Sequence, residues 1–282
     1  MNPFVLQIAN GNIFFTGMGM TVIAFAFRLW LNDRVSISLL TITWLVGISF
    51  VILSATPLSF WLYGLWFVLC IAVRIISNIR LPSRLKVAIV VIFALFSLAL
   101  CLGEIPYHLP PSITVSRDQP VFVLGDSLSA GIGTKERAWP DVLGDVSHLK
   151  VTNLAQPGAI VETALLQADG ITATNALIIL EIGGNDLLGH TDSHTFYVQL
   201  DNLLGKLSNG NNRVIMFELP LLPFHNAFGR AQRILANKHE VTLIPKSYMT
   251  EVFSLKDGTL DGLHLSQKGH NALANSVSCL LK

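Results

Sequence analysis

The sequence predicts two fold classes in one chain. An all-α membrane region of about four helices comes first, and an α/β domain follows, built as three layers (α/β/α) around a five-stranded parallel sheet. Three observations carry this. Residues 1–103 hold four long apolar runs and few charges: Arg28, Asp33, Arg34, Arg74, Arg80, Arg84 and Lys86. From Val121 onward, short apolar runs alternate with stretches of helical spacing, the pattern of strand–helix–strand crossovers. Every histidine lies at His108 or beyond, so apolar bulk and reactive side chains are segregated along the chain.

Composition agrees with that division. The 282 residues are 51% hydrophobic and 13% charged, with a mean hydropathy of +0.56, whereas soluble domains carry about 25% charged residues. The formal net charge of +1 argues against a nucleic-acid partner, which requires a basic face.

The four apolar runs are 12–31, 36–54, 59–77 and 87–103, each close to the ~20 residues that cross a bilayer as a helix. Four such runs with almost no charge between them disfavour a buried soluble core. The extreme N-terminus lacks the basic stretch of a cleavable signal peptide. Asn12, Gly17 and Gly19 interrupt the first run, which makes it the weakest. Arg28 and Arg34 flank the first connection and Arg74, Arg80, Arg84 and Lys86 the third, so the positive-inside rule puts both in the cytoplasm. One span then separates the third connection from the C-terminal domain, which is expected on the extracytoplasmic side. Trp61, Tyr63 and Trp66 are expected as interfacial anchors. No acid or histidine pair falls within the spans, so a proton relay has no support. Cys70, Cys101 and Cys279 are expected to form no disulfide.

Residues 104–119 read as a connector stiffened by Pro106, Pro110 and Pro111, and residues 120–282 as the domain. Strands are predicted at 121–124, 150–154, 176–182, 213–218 and 241–244. Helices are predicted near 137–146, 160–169, 195–208, 226–238 and 265–281. Continuous apolar strands such as Ala176–Leu180 fit a parallel sheet covered on both faces, with predicted strand order 2-1-3-4-5.

The candidate chemistry begins at Gly125-Asp126-Ser127. A buried strand running into a tight turn puts Ser127 at the carboxyl edge of the sheet, where open α/β folds place their sites. A serine nucleophile needs a base, an orienting acid and an oxyanion hole. Asp261 and His264, three apart around Gly262, supply the acid and base; the bland alternative is a helix-capping aspartate followed by a surface histidine. Gly158 and Asn185 follow the second and third strands. They serve either as turn residues or, with the Ser127 N–H, as oxyanion donors. Asp126 and Asp186 are expected to hold loops. His270 is expected at the surface. His190 and His194 lack a third ligand, so no metal is expected. Leu187, Leu188 and Gly189 are candidates for an acyl pocket.

These four blocks, Gly125-Asp126-Ser127-Leu128, Gly158, Gly183-Gly184-Asn185-Asp186 and Asp261-x-x-His264, resemble those of the SGNH (GDSL) hydrolases. Leu124–Gly131, Ala138-Trp139-Pro140 and Glu181–Asp186 are most similar to the bacterial thioesterase I/lysophospholipase L1/arylesterase group. The resemblance implies a flavodoxin-like domain that needs no cofactor or metal and cleaves esters and thioesters through an acyl-enzyme. The resemblance covers none of the apolar region; joined to the four runs and their basic flanks, it leads to the expectation of a membrane-anchored ester hydrolase in a bacterial inner or plasma membrane, with the bilayer and no obligate protein as partner, acting on lipid or other acylated substrates outside the cytoplasm. The competing readings are an O-acetyl esterase or acyltransferase working on envelope glycans, and a non-enzymatic membrane sensor for acylated ligands.

Overall fold

The computed structural model describes residues 2–31, 33–132, 136–189 and 191–282. They group into two compact units: Gln7–Pro106 with Leu222–Asn226, and Tyr107–Leu221 with Ala227–Lys282 and residues 2–6.

The first unit is helical. α1 (Pro3–Ala9) and α2 (Asn12–Arg28) are followed by α3 (Arg34–Leu53), α4 (Phe60–Ile76) and α5 (Ser83–Glu104). Only α3, and α5 with the 3₁₀ turn that prolongs it to His108, are long and apolar enough to cross a membrane singly; α1 and α2 together make a third candidate, bent by 90°. This corrects the expectation of four spans. α2 stops at Arg28 after 17 residues, and Gly11, left-handed at φ 82°, separates it from α1. The 17 residues of α4 rise about 26 Å, short of a ~30 Å hydrocarbon core.

α2 and α3 meet through glycines. A Cβ on Gly17 would lie 2.6 Å from Gly47 O, and one on Gly47 2.9 Å from Gly17 O, so backbones touch where any larger residue would separate them. Trp66 is also corrected. It is buried and donates from Nε1 to Ser97 Oγ at 3.1 Å, because one facing hydroxyl satisfies its only polar atom. Trp61 is 88% exposed.

The second unit carries a sheet of five parallel strands in the order 2-1-3-4-5, as predicted. The strands are β1 (Val121–Gly125), β2 (Val151–Asn153), β3 (Leu177–Glu181), β4 (Arg213–Phe217) and β5 (Thr242–Ile244). β1 and β3 are buried at every residue. Alternate residues of the sheet, among them Val121, Val123, Ile179, Ile215 and Phe217, pack on Trp139, Met249 and Leu273. Those three belong to α7 (Trp139–Ser147), α12 (Ser247–Ser254) and α13 (Gln267–Ser278). The opposite face is covered by α8 (Val161–Gln167), α10 (Ser193–Leu207) and α11 (Asn226–Lys238). α10 starts where Asp192 accepts from the N–H groups of His194 and Thr195, and buries Phe196, Leu200, Leu203, Leu204 and Leu207, an apolar stripe at helical spacing.

Three helices were not predicted: the eight-residue α12 and two shorter ones, α6 (Ser127–Ala130) and α9 (Gly184–Leu188). The latter two are too short for periodicity to register, and both lie at the carboxyl edge of the sheet. The segment ahead of β1 is more than a tether. Ile113 is buried and pairs with the C-terminus through Ile113 N–H to Leu280 O (2.9 Å) and Lys282 N–H to Ile113 O (2.8 Å).

Candidate active site

β1 ends at Gly125 and α6 begins at Ser127, with Asp126 as its N-cap. Asp126 Oδ1 accepts the Leu128 N–H at 2.9 Å, the usual way an aspartate satisfies an orphan amide of a first turn. Gly125 is obligatory here: a Cβ would sit 2.6 Å from Glu181 O and 2.8 Å from Ser129 Oγ. Ser127 is half-buried. Neither its N–H nor its hydroxyl is engaged by another described residue.

The predicted oxyanion residues gather beside it. Asn185, in α9 at the end of β3, donates from Nδ2 to Ala159 O at 2.9 Å and to Asp126 Oδ2 at 3.3 Å. Those two bonds tie the block after β3 to the turns after β1 and β2. Gly158 is exposed with φ 75°, and open space surrounds the position of a Cβ. Its N–H donates to no described residue. Asp186 holds a loop: Oδ2 accepts the Val161 N–H at 3.0 Å, and burial raises its carboxyl above the ordinary range.

Asp261 and His264 form a pair. Asp261 Oδ2 lies 2.7 Å from His264 Nδ1, while Oδ1 accepts the N–H groups of His264 (2.8 Å) and Leu263 (3.0 Å). The imidazole bond, seconded by those amides, holds the Asp261 carboxyl far below the usual carboxylate range. An ionised Asp261 accepts from Nδ1–H, so the lone pair of His264 is on Nε2. A turn builds this geometry. Gly262 has φ 92°, and Leu260 N–H returns to His264 O at 2.8 Å. No Ser127–His264 hydrogen bond forms, and such bonds are often long before substrate binds.

Leu187 is buried and Leu188 is 57% exposed. Gly189 is exposed, and its N–H donates to Asn185 O at 2.9 Å. His190 lies outside the described residues, and His194 sits in the first turn of α10. Among the described residues no three His, Cys, Asp or Glu side chains group to hold a metal.

His270 corrects the expectation of a surface residue: it is 1% exposed, and its Nδ1 accepts the Trp139 N–H at 3.2 Å. Gly269 explains the burial, since a Cβ there would collide with Gly258 O and keep α13 away. Burial lowers the His270 pKa, against the opposing charge of Glu136. Sequence reasoning also missed Gln167. Its side chain accepts the Gly125 N–H (3.0 Å) and donates to Gly125 O (2.9 Å), acting as a strand partner for the residue before the turn. Gln232 treats β4 likewise, accepting from Leu219 N–H and donating to Phe217 O. Each is a glutamine inside an otherwise apolar helical face, which is the one signal available in the sequence.

The profile of the GDSL-like lipase/acylhydrolase family matches residues 123–272, more than half of the chain and all of the blocks above. The chain belongs to the GDSL-like lipase/acylhydrolase family. It is accordingly a hydrolase acting on ester bonds. Among solved structures, TesA is 22% identical with a TM-score of 0.51, covering 57% of this chain and 97% of its own. The psychrotrophic esterase EstA from Pseudoalteromonas sp. is 20% identical with a TM-score of 0.52, covering 57% and 94%. Both likenesses establish the fold of the second unit. No curated protein matches this chain.

Proposed function

We propose that this protein is a membrane-anchored serine esterase with Ser127, His264 and Asp261 as its triad, acting on acyl esters at the extracytoplasmic face. The observation that carries the reading is the Asp261–His264 pair at the sheet edge that also presents Ser127. Beside it are two backbone N–H groups, of Ser127 and Gly158, that no protein acceptor uses. His264 Nε2 takes the hydroxyl proton as Ser127 Oγ bonds to the ester carbon. The carbonyl oxygen gains the electron pair and is held by the N–H groups of Ser127 and Gly158 and by Asn185, whose long 3.3 Å bond to Asp126 is the one shared with it. The C–O bond then breaks, the alcohol leaves with the proton from His264, and water repeats the sequence to free the acid and Ser127. Asp261 fixes the tautomer and stabilises the imidazolium.

Apolar acyl groups are favoured by the loops around the triad. Leu260 and Leu263 flank Asp261 and are 51% and 42% exposed, and Leu188 follows Asn185 in α9. Leucines held in water beside a carbonyl-attacking serine suit a fatty acyl chain or a lipid surface. The apolar helices α3 and α5 suit an anchor. Arg74, Arg80, Arg84 and Lys86, just ahead of or at the start of α5, support the extracytoplasmic placement through the positive-inside rule, since one span separates them from the second unit.

The test is hydrolysis of p-nitrophenyl esters from acetyl to palmitoyl by the detergent-purified protein and its Ser127→Ala variant. Serine-dependent activity peaking at long chains is expected. A peak at acetyl would replace the lipid substrate with O-acetyl groups of envelope glycans, and a transferred acyl group among the products would make the enzyme a transferase. Equal rates for the two proteins would end the esterase reading.

A further inference from the structure

Two carboxyls lie side by side beneath the Ser127 turn. Gly125 and Glu181 are register partners on β1 and β3, so Asp126 and Glu181 leave the sheet at the same edge. A Cβ on Gly125 would lie 3.0 Å from Glu181 Oε2, so the Glu181 carboxyl reaches the residue just before Asp126, and each of the two acids is 3% exposed. No lysine or arginine among the described residues forms an ion pair with either. Two ionised carboxylates so placed repel across a medium that screens poorly, and one of them keeps a proton.

Their neighbours decide which one. Asp126 receives the Leu128 N–H and the Asn185 amide, and feels the nearby His264. Burial, the largest influence, raises the Asp126 carboxyl and Asp186 adds to it, while those partners oppose the rise. Glu181 Oε2 accepts the Ser129 hydroxyl at 2.8 Å, and Ser129 Oγ in turn accepts from Trp139 Nε1 at 3.1 Å. From the helices packed around it come only neutral groups, Ser129 of α6, Trp139 of α7 and Gln167 of α8, while His270 of α13 is turned to the Trp139 N–H. Burial pushes the Glu181 carboxyl well up, and the Asp126 charge pushes it further.

We propose that Glu181 is a positioning residue for acyl transfer: held as the neutral acid, it donates a hydrogen bond to Asp126 and fixes that carboxylate where it holds Leu128 N–H and Asn185. The role rests on the reading of Ser127 and Asn185 given above. Ionised Glu181 would lose this donor and drive Asp126 away, loosening the start of α6 and the oxyanion amide together. Glutamine keeps an N–H for Asp126 and an oxygen for Ser129, and does not ionise. Alanine removes both.

The test is a pH–rate profile, pH 5 to 10, of the full-length protein in detergent on the best p-nitrophenyl ester, for wild type, Glu181→Gln and Glu181→Ala, with Ser127→Ala as the blank. Wild-type kcat is expected to fall on the alkaline side. E181A should lose about 10–100-fold in kcat, the scale of a small displacement at a reacting centre, with KM within about twofold. E181Q should restore kcat to within about threefold of wild type and lose the alkaline fall. Wild-type kcat in E181A, an E181Q as impaired as E181A, or an alkaline fall unchanged in E181Q would each overturn the role. If near-UV circular dichroism shows E181A misfolded, the E181Q profile decides alone. Absence of Ser127-dependent hydrolysis in wild type is a different result: it ends the esterase reading and the positioning role with it.

Discussion

At the residue scale, Asp261 and Glu181 are carboxylates with opposite environments and opposite protonation states. Asp261 lies near solvent with three hydrogen bonds to its anion, so it stays charged and orients His264. Asp261→Asn should cut kcat by up to about 10⁴-fold with little change in KM, because the wrong imidazole tautomer is then favoured; steady-state kinetics on one ester decides this. Glu181 has a second signature in stability. An unfolded glutamate ionises near pH 4.3, whereas burial pushes the native Glu181 carboxyl well above that. Above that pH the native state therefore binds more protons than the unfolded state, and Glu181 costs stability as pH rises. The slope is up to about 1.4 kcal/mol per pH unit until native Glu181 itself ionises. E181Q should thus melt above wild type near pH 7, with the difference shrinking towards pH 4. Melting curves that differ by the same amount at both pH values would contradict a neutral Glu181.

At the element scale, strand ends are secured by side chains where the ladder runs out. Gln167 of α8 replaces a neighbouring strand at Gly125. Gln167→Ala leaves the buried Gly125 N–H unpaired, costing about 1–3 kcal/mol, while Gly125 O keeps the Gln156 N–H at 3.1 Å, so urea unfolding should report a loss of about 1–3 kcal/mol. The loop 260–264 carries both Asp261 and the exposed Leu260 and Leu263. A Leu260→Ser/Leu263→Ser double variant should keep acetyl-ester turnover and lower kcat/KM on decanoyl and longer esters about tenfold, since each leucine side chain offers about 1.5–3 kcal/mol of burial when fully covered. Equal losses on acetyl and long-chain esters would mean that the loop orients His264 and does not contact the acyl chain.

At the scale of the whole molecule, chemistry and membrane affinity occupy separate stretches of one chain. With α5 as the last span and the basic residues Arg74, Arg80, Arg84 and Lys86 inside, protease added outside sealed, right-side-out membrane vesicles should digest the second unit while the apolar helices survive. Protection of the second unit until detergent is added would reverse the orientation. Within the helical unit, Gly17→Leu should lower the thermal stability of the detergent-solubilised protein, since its Cβ alone would come within 2.6 Å of Gly47 O.

The sheet, its order and the four catalytic blocks were legible in the sequence. Apolar strands of β1 and β3 type, Gly125-Asp126-Ser127 and Asp261-x-x-His264 are local patterns, and backbone geometry dictates local patterns. The number of bilayer-length helices was not, because α2 and α4 each end after 17 residues, and a hydropathy window averages over helix ends. Trp66, His270, Gln167 and Glu181 were likewise unreadable. Whether an indole, an imidazole, an amide or an acid is buried depends on a partner distant in sequence, Ser97, Trp139, Gly125 or Asp126. Sequence by itself determined the strand order and the blocks that carry the family. Tertiary structure alone decided which polar groups are paired, and so which carry charge, because the cost of burying a charge or an unpaired dipole depends on neighbours that only folding brings within hydrogen-bond reach.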